Sequence, residues 1–119
     1  AGHDQARLVL QGERPDLVFS DWGFPTEEAL IAVRQALPDI PLVASGGIRT
    51  GVDIAKSIAL GADLGALGQP LLAAALESSD KVIEFLAGVI REIKVSMLCV
   101  GAKDLRSLRQ APLTRAARP

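Results

Sequence analysis

Two apolar runs, Ile40–Ser45 and Asp63–Leu67, alternate along this chain with stretches in which apolar residues return every three or four positions. Neither run shows a two-residue alternation of polarity. Each therefore reads as a strand buried on both faces, the habit of parallel sheets. Val52, Ala55, Ile58 and Ala59 form the expected buried stripe of the helix between them, and Ala29, Leu30, Val33 and Leu37 that of an earlier one ending at Pro38. The helix ends are marked as well. Thr26 can cap the first helix, ahead of Glu27 and Glu28, acids that the dipole favours in a first turn. Thr50 and Asp53 have capping-box spacing, with Asp where Glu or Gln is usual. Gly61 falls where a helix C-terminus favours positive φ, and Pro70 suits a first helical turn. That last helix falters at Ser78-Ser79-Asp80. A longer one follows over Lys81–Val100, with Val82, Phe85, Leu86, Val89, Ile93, Met97 and Val100 on related faces and Gly101 at its end. Asp104–Gln110 adds a turn or two. Asp16–Phe19, after Pro15, reads as a strand or an extended entry.

Strands and helices in alternation with short loops imply parallel strands and crossover helices. Two clear strands cannot close such a sheet, because their edges and faces stay open. The expected fold class is α/β, the last part of a (β/α)8 barrel whose typical size is ~250 residues. Half of an open doubly wound sheet is the runner-up. The chain starts at Ala1 and its only Met is Met97, so a segment of a longer protein is expected: one partial domain over 1–119, with 111–119 as a tail.

Composition narrows the class. The 119 residues carry 13 Lys+Arg against 14 Asp+Glu, and 49% are hydrophobic. Such a chain is not disordered. Its net charge of −1 gives no reason to expect nucleic acid or an anionic membrane as partner. The longest nearly apolar stretch, Leu64–Leu76, is broken by Gln69 and Pro70 and falls short of the roughly 20 residues a span requires. Cys99 stands alone, which excludes a disulfide framework. A soluble, cytoplasmic protein is expected.

The chemistry lies in Ser45-Gly46-Gly47-Ile48-Arg49-Thr50-Gly51, which links a strand end to a helix start. Adjacent glycines let backbone N–H groups approach an oxygen closely, and the helix beginning near Gly51 would add its positive end. Together they predict a phosphate site. A lone Gly-Gly pair serves an ordinary turn as readily. However, Leu67-Gly68-Gln69-Pro70 repeats the arrangement one strand-helix-strand unit later, and barrels commonly place phosphate between their last two loops. Arg49 could add charge. His3 reads as exposed, Cys99 as core, Lys56 and Asp53 as helix surface, and Asp21 and Trp22 as structural. The basic segment after Arg91 lacks the aromatics of a nucleic-acid surface.

Ser45–Lys56 with Ala59-Leu60-Gly61-Ala62-Asp63 resembles the end of an FMN-dependent (β/α)8 barrel, a pattern shared with the α-hydroxy-acid oxidases. Those enzymes usually have Asp before the paired glycines, where this chain has Ser45. Asp21-Trp22-Gly23-Phe24-Pro25-Thr26, Val100-Gly101-Ala102-Lys103 and Leu108-Arg109-Gln110-Ala111-Pro112-Leu113 are similar to the type 2 isopentenyl-diphosphate isomerases. The resemblance implies the barrel from about helix six to helix eight. Ile40–Ser45 would be strand seven, Asp63–Leu67 strand eight, and Asp16–Phe19 an excursion before helix six. It implies FMN phosphate held at Gly47, Ile48, Arg49, Gly68 and Gln69, with Arg49 and Gln69 acting through backbone. It implies interconversion of isopentenyl and dimethylallyl diphosphate, with NADPH, Mg2+ and a homo-oligomer. The family's catalytic and Mg2+-binding residues lie earlier in its chain, so no catalytic residue and no activity are expected of this segment alone. An isolated segment is not expected to fold stably, since its open edge would expose Val43 and Leu64. The alternatives are the same segment of an α-hydroxy-acid oxidase, or a non-catalytic remnant of a truncated gene.

Overall fold

Val18–Ser20 (β1), Leu42–Ala44 (β2) and Leu64–Gly65 (β3) form one parallel sheet in the order β1-β2-β3 in the computed structural model, which describes residues 18–20 and 26–114. Val18 pairs with Leu42 and Ser20 with Ala44, and Val43 pairs with Leu64. β1 overturns the placement of Val18 and Phe19 in an excursion, while Asp16 and Leu17 lie outside the described residues. A central parallel strand has backbone donors and acceptors along both edges, and β1 satisfies the edge of β2 that β3 leaves free. Of the two readings of the apolar run, strand or extended entry, β1 is the strand. His3, Asp21 and Trp22 lie outside the described residues.

Helices Thr26–Ala36 (α1) and Gly51–Ala59 (α2) return the chain between strands, and Gln69–Glu77 (α3), Ser79–Val100 (α4) and Leu105–Arg109 (α5) follow. The turn chemistry accounts for their limits. Thr50 and Asp53 form the capping box in both directions. Ser78 ends α3 and caps α4 through the Lys81 N–H. Gly101 ends α4 in the left-handed region at φ 74, and Asp104 caps α5. The core joins Leu30 and Val33 of α1, Leu42 and Ala44 of β2, Ile54, Ala55 and Ile58 of α2, Val89 of α4 and Leu108 of α5. Leu30 and Leu42 are fully buried, and truncating either to Ala would cost about 2–5 kcal/mol. Ala111 packs against this core, while 115–119 lie outside the described residues.

Several burial expectations fail for geometric reasons. Val52 is 42% exposed, because the inward face of α2 is Gly51, Ile54, Ala55 and Ile58, and Val52 stands one position off it. Cys99 is exposed rather than core. The inner side of α4 is Val82, Phe85, Val89, Ile93 and Met97, and Cys99 lies about 200° round the helix from Met97. Leu86 and Val100 of the same expected stripe are exposed too. Val43 is buried at 8% exposure because β2 is flanked on both sides, whereas its register partner Leu64, on the edge strand, is 63% exposed.

Opposite the C-terminal ends of the strands, one carboxylate and two guanidiniums tie the layers together. Asp63 accepts from the Leu42 N–H at 2.9 Å, from Arg34 at 2.9 Å and from Arg109 at 2.6 Å. Arg34 also donates to the carbonyls of Gly61, Pro38 and Ile40. Burial works to raise the Asp63 carboxyl, but the Leu42 N–H and the Arg34 and Arg109 guanidiniums outweigh it and hold it below its ordinary 3.8.

Candidate functional site: two glycine loops at the strand ends

The loops that leave β2 and β3 are held side by side by the sheet, with the Ala66 N–H donating to the Ala44 carbonyl at 2.8 Å just past the paired residues. Gly46 and Gly47 both take left-handed backbone, φ 80 and 77, which admits glycine far more readily than residues with a Cβ. Ile48 turns its side chain into the core at 6% exposure and so anchors the loop from beneath. A Cβ on Gly47 or on Gly68 would meet open space. Both glycines therefore border unfilled volume rather than packed protein. Arg49 Nη2 lies 3.5 Å from Gln69 Oε1. The structure thus brings the residues predicted from both loops into one place.

The two helix N-termini at this place differ. Gly68 caps α3 without any side-chain acceptor, and Pro70 occupies its first turn. The Leu72 N–H already bonds the Gly68 carbonyl, which leaves the Gln69 and Leu71 N–H groups with no acceptor inside the helix. This is an open, electropositive helix end. The N-terminus of α2 is closed instead. Asp53 Oδ2 accepts the N–H groups of Arg49 at 3.0 Å and Thr50 at 3.1 Å. Glu92 Oε2, from α4, accepts the Gly51 N–H at 3.0 Å.

At the front of α2 the chain's own carboxylates hold the N–H groups of Arg49, Thr50 and Gly51. The Arg49 guanidinium reaches across to Gln69 of the second loop. Asp53 is more than helix surface. Glu92 was not recognisable in sequence, since an acid on an amphipathic helix gives no sign of a contact 41 residues away. No group of three or more His, Cys, Asp or Glu side chains that could hold a metal occurs among the described residues. A groove of about 450 Å3 between α3 and α4 adjoins Arg49. A second, apolar one of about 540 Å3 between α2 and α4 shares no residue with the glycine loops.

A family model described as FMN-dependent dehydrogenase matches residues 20–115. The chain belongs to the FMN-dependent dehydrogenase family. Its sheet and helices are accordingly part of a (β/α)8 barrel, and open glycine backbone, an uncapped helix end and a guanidinium suit the phosphate of FMN. Among curated proteins, the chain is 54% identical over 108 residues to an isopentenyl-diphosphate delta-isomerase from Mycobacterium marinum, covering 91% of this chain and 31% of that protein. It is 50% identical over 95 residues to the protein of that name from Stutzerimonas stutzeri, covering 80% and 28%. The chain spans about a third of the length of the curated relatives it matches. A mandelate oxidase with (S)-2-phenylpropionate superposes with a TM-score of 0.78 at 26% identity, over 92% of this chain and 35% of that one. A mandelate oxidase variant with (S)-mandelic acid reaches 0.84 at 24% identity, over 99% and 38%, which is likeness of fold. No described helix is long and apolar enough to cross a membrane.

Proposed function

We propose that this chain is the C-terminal, phosphate-holding part of an FMN-dependent isomerase that interconverts isopentenyl and dimethylallyl diphosphate. The observation that carries the reading is the pair of open glycine loops joined by Arg49 and Gln69, in a chain about half identical to proteins named for that isomerisation. In this reading the backbone at Gly47, Ile48, Gly68 and Gln69 holds the FMN phosphate, and the Arg49 guanidinium balances its charge. When bound and reduced, the flavin supplies the group that exchanges a proton with the allylic carbons. The residues of this chain contribute position and charge: they fix the phosphate end. The proton step, the Mg2+ that screens the substrate diphosphate and the contact with NADPH belong to parts of the barrel this chain does not include. The setting is a cytoplasmic homo-oligomer.

A chimera tests the proposal, with this chain replacing the matched third of the Mycobacterium marinum relative. The expected result is retained flavin absorbance and dimethylallyl diphosphate formed from isopentenyl diphosphate with FMN, NADPH and Mg2+, and none without reductant. Bound flavin with no isomerisation would overturn the isomerase reading and favour the hydroxy-acid oxidase one, to which the mandelate oxidase likeness gives some weight. No bound flavin would overturn the phosphate cradle itself.

A further inference from the structure

Gly51 is the point where α4 touches the N-terminus of α2. A Cβ there would stand 2.3 Å from the Val89 carbonyl and 2.6 Å from Glu92 Cβ, so the two backbones meet directly. Val89 is buried, and Glu92 lies one helical turn further on, where its carboxylate takes the Gly51 N–H at 3.0 Å. Asp53 takes the two preceding N–H groups. The N–H groups of Arg49, Thr50 and Gly51 are thus held by two acids of the chain, Asp53 from within α2 and Glu92 from α4. Gly47 borders open space, and the end of α3 carries no side-chain cap.

We infer that Glu92 is a positioning residue for the phosphate loop, which it holds through the Gly51 N–H and not by contact with the ligand. The inference rests on the phosphate reading above. Its physical content is pre-organisation: a loop already fixed at Arg49, Thr50 and Gly51 loses less freedom when Gly47 and Ile48 close on a phosphate. It carries an opposing effect with a definite sign. Glu92 is negative and near the site, so simple repulsion would weaken phosphate binding, and removing its charge would strengthen it. The position of the loop and the charge of the side chain therefore predict opposite changes for one substitution.

The chimera provides the test, with FMN and riboflavin as probes. Riboflavin carries the same ring without phosphate, so the ratio of the two dissociation constants isolates the phosphate site. Glu92→Met keeps length and helix propensity but has no oxygen acceptor. It is expected to weaken FMN roughly fivefold to tenfold and leave riboflavin unchanged. Glu92→Gln retains an oxygen for the Gly51 N–H without the charge and is expected to stay near the parent ratio. Tighter FMN binding by Glu92→Met, equal weakening of both flavins, no change in either, or a Gln variant that behaves like Met would each overturn the inference. A parent chimera that binds FMN no better than riboflavin would instead overturn the phosphate reading, and the inference with it.

Discussion

Gly51→Ala sets two rules against each other at one helix position. Alanine at the start of α2 restricts the unfolded chain and favours helix, a gain of about 0.5–1 kcal/mol if the site has room. The site has no room, because the new methyl would stand 2.3 Å from the Val89 carbonyl oxygen, where carbon and oxygen need about 3.3 Å. α4 must therefore move by about 1 Å or α2 must tilt. Crowding of this kind costs about 1–3 kcal/mol, and the movement also weakens the Glu92 bond to Gly51, a further ~1 kcal/mol. The net expectation is a loss of ~2 kcal/mol, roughly 2–4 °C in Tm for a protein of the chimera's length, of which the matched 108 residues are 31%. Thermal unfolding of the flavin-free chimera, parent against variant, measures it. An unchanged or raised Tm would show that the α2–α4 contact is loose and would remove the ground on which Glu92 is held in place.

Gly68→Ala adds a methyl to the open space beside α3 and is expected to weaken FMN at least tenfold with Tm within about 1 °C, read by flavin titration and thermal melts. Gly47→Ala should do the same and also lower stability by about 1–2 kcal/mol, since φ 77 strains any residue with a Cβ. Asp63 titrates below 3.8 when folded. Its contribution is therefore complete above the ordinary 3.8 of the unfolded chain and is lost as pH falls from there through the lowered folded value. Asp63→Asn should lower Tm at pH 7 and flatten the decline of Tm below pH 3.8; an unaltered acid limb would refute the role of the Arg34–Asp63–Arg109 cluster. The isolated 119-residue chain, with Leu64 exposed on an edge strand, is expected to show no cooperative unfolding transition by calorimetry.

The elements were legible because they depend on neighbours in sequence. The Thr50–Asp53 box, Gly61, Pro70 and Gly101 each act within about one helical turn, and each stands where its chemistry requires. Both glycine loops were visible for the same reason. The short strand Val18–Ser20 was legible as an apolar run, and the family resemblance wrongly displaced it.

The sequence by itself determined the alternation of strand and helix, the capping box that starts α2, the glycine that ends α4, and the two glycine loops at the strand ends. Those properties come from local sterics and hydrogen bonding. The tertiary structure decided which donors remain available. Asp53 and Glu92 close the front of α2, the Arg49 N–H is taken, and the end of α3 stays open. It also decided which apolar residues are covered, turning Val52 and Cys99 outward and Val43 in. The physical reason is that burial and electrostatic partnership depend on the packing of α4 against α2. That contact is made by backbone at Gly51 and Val89, 38 positions apart, where no periodicity in the chain can record it.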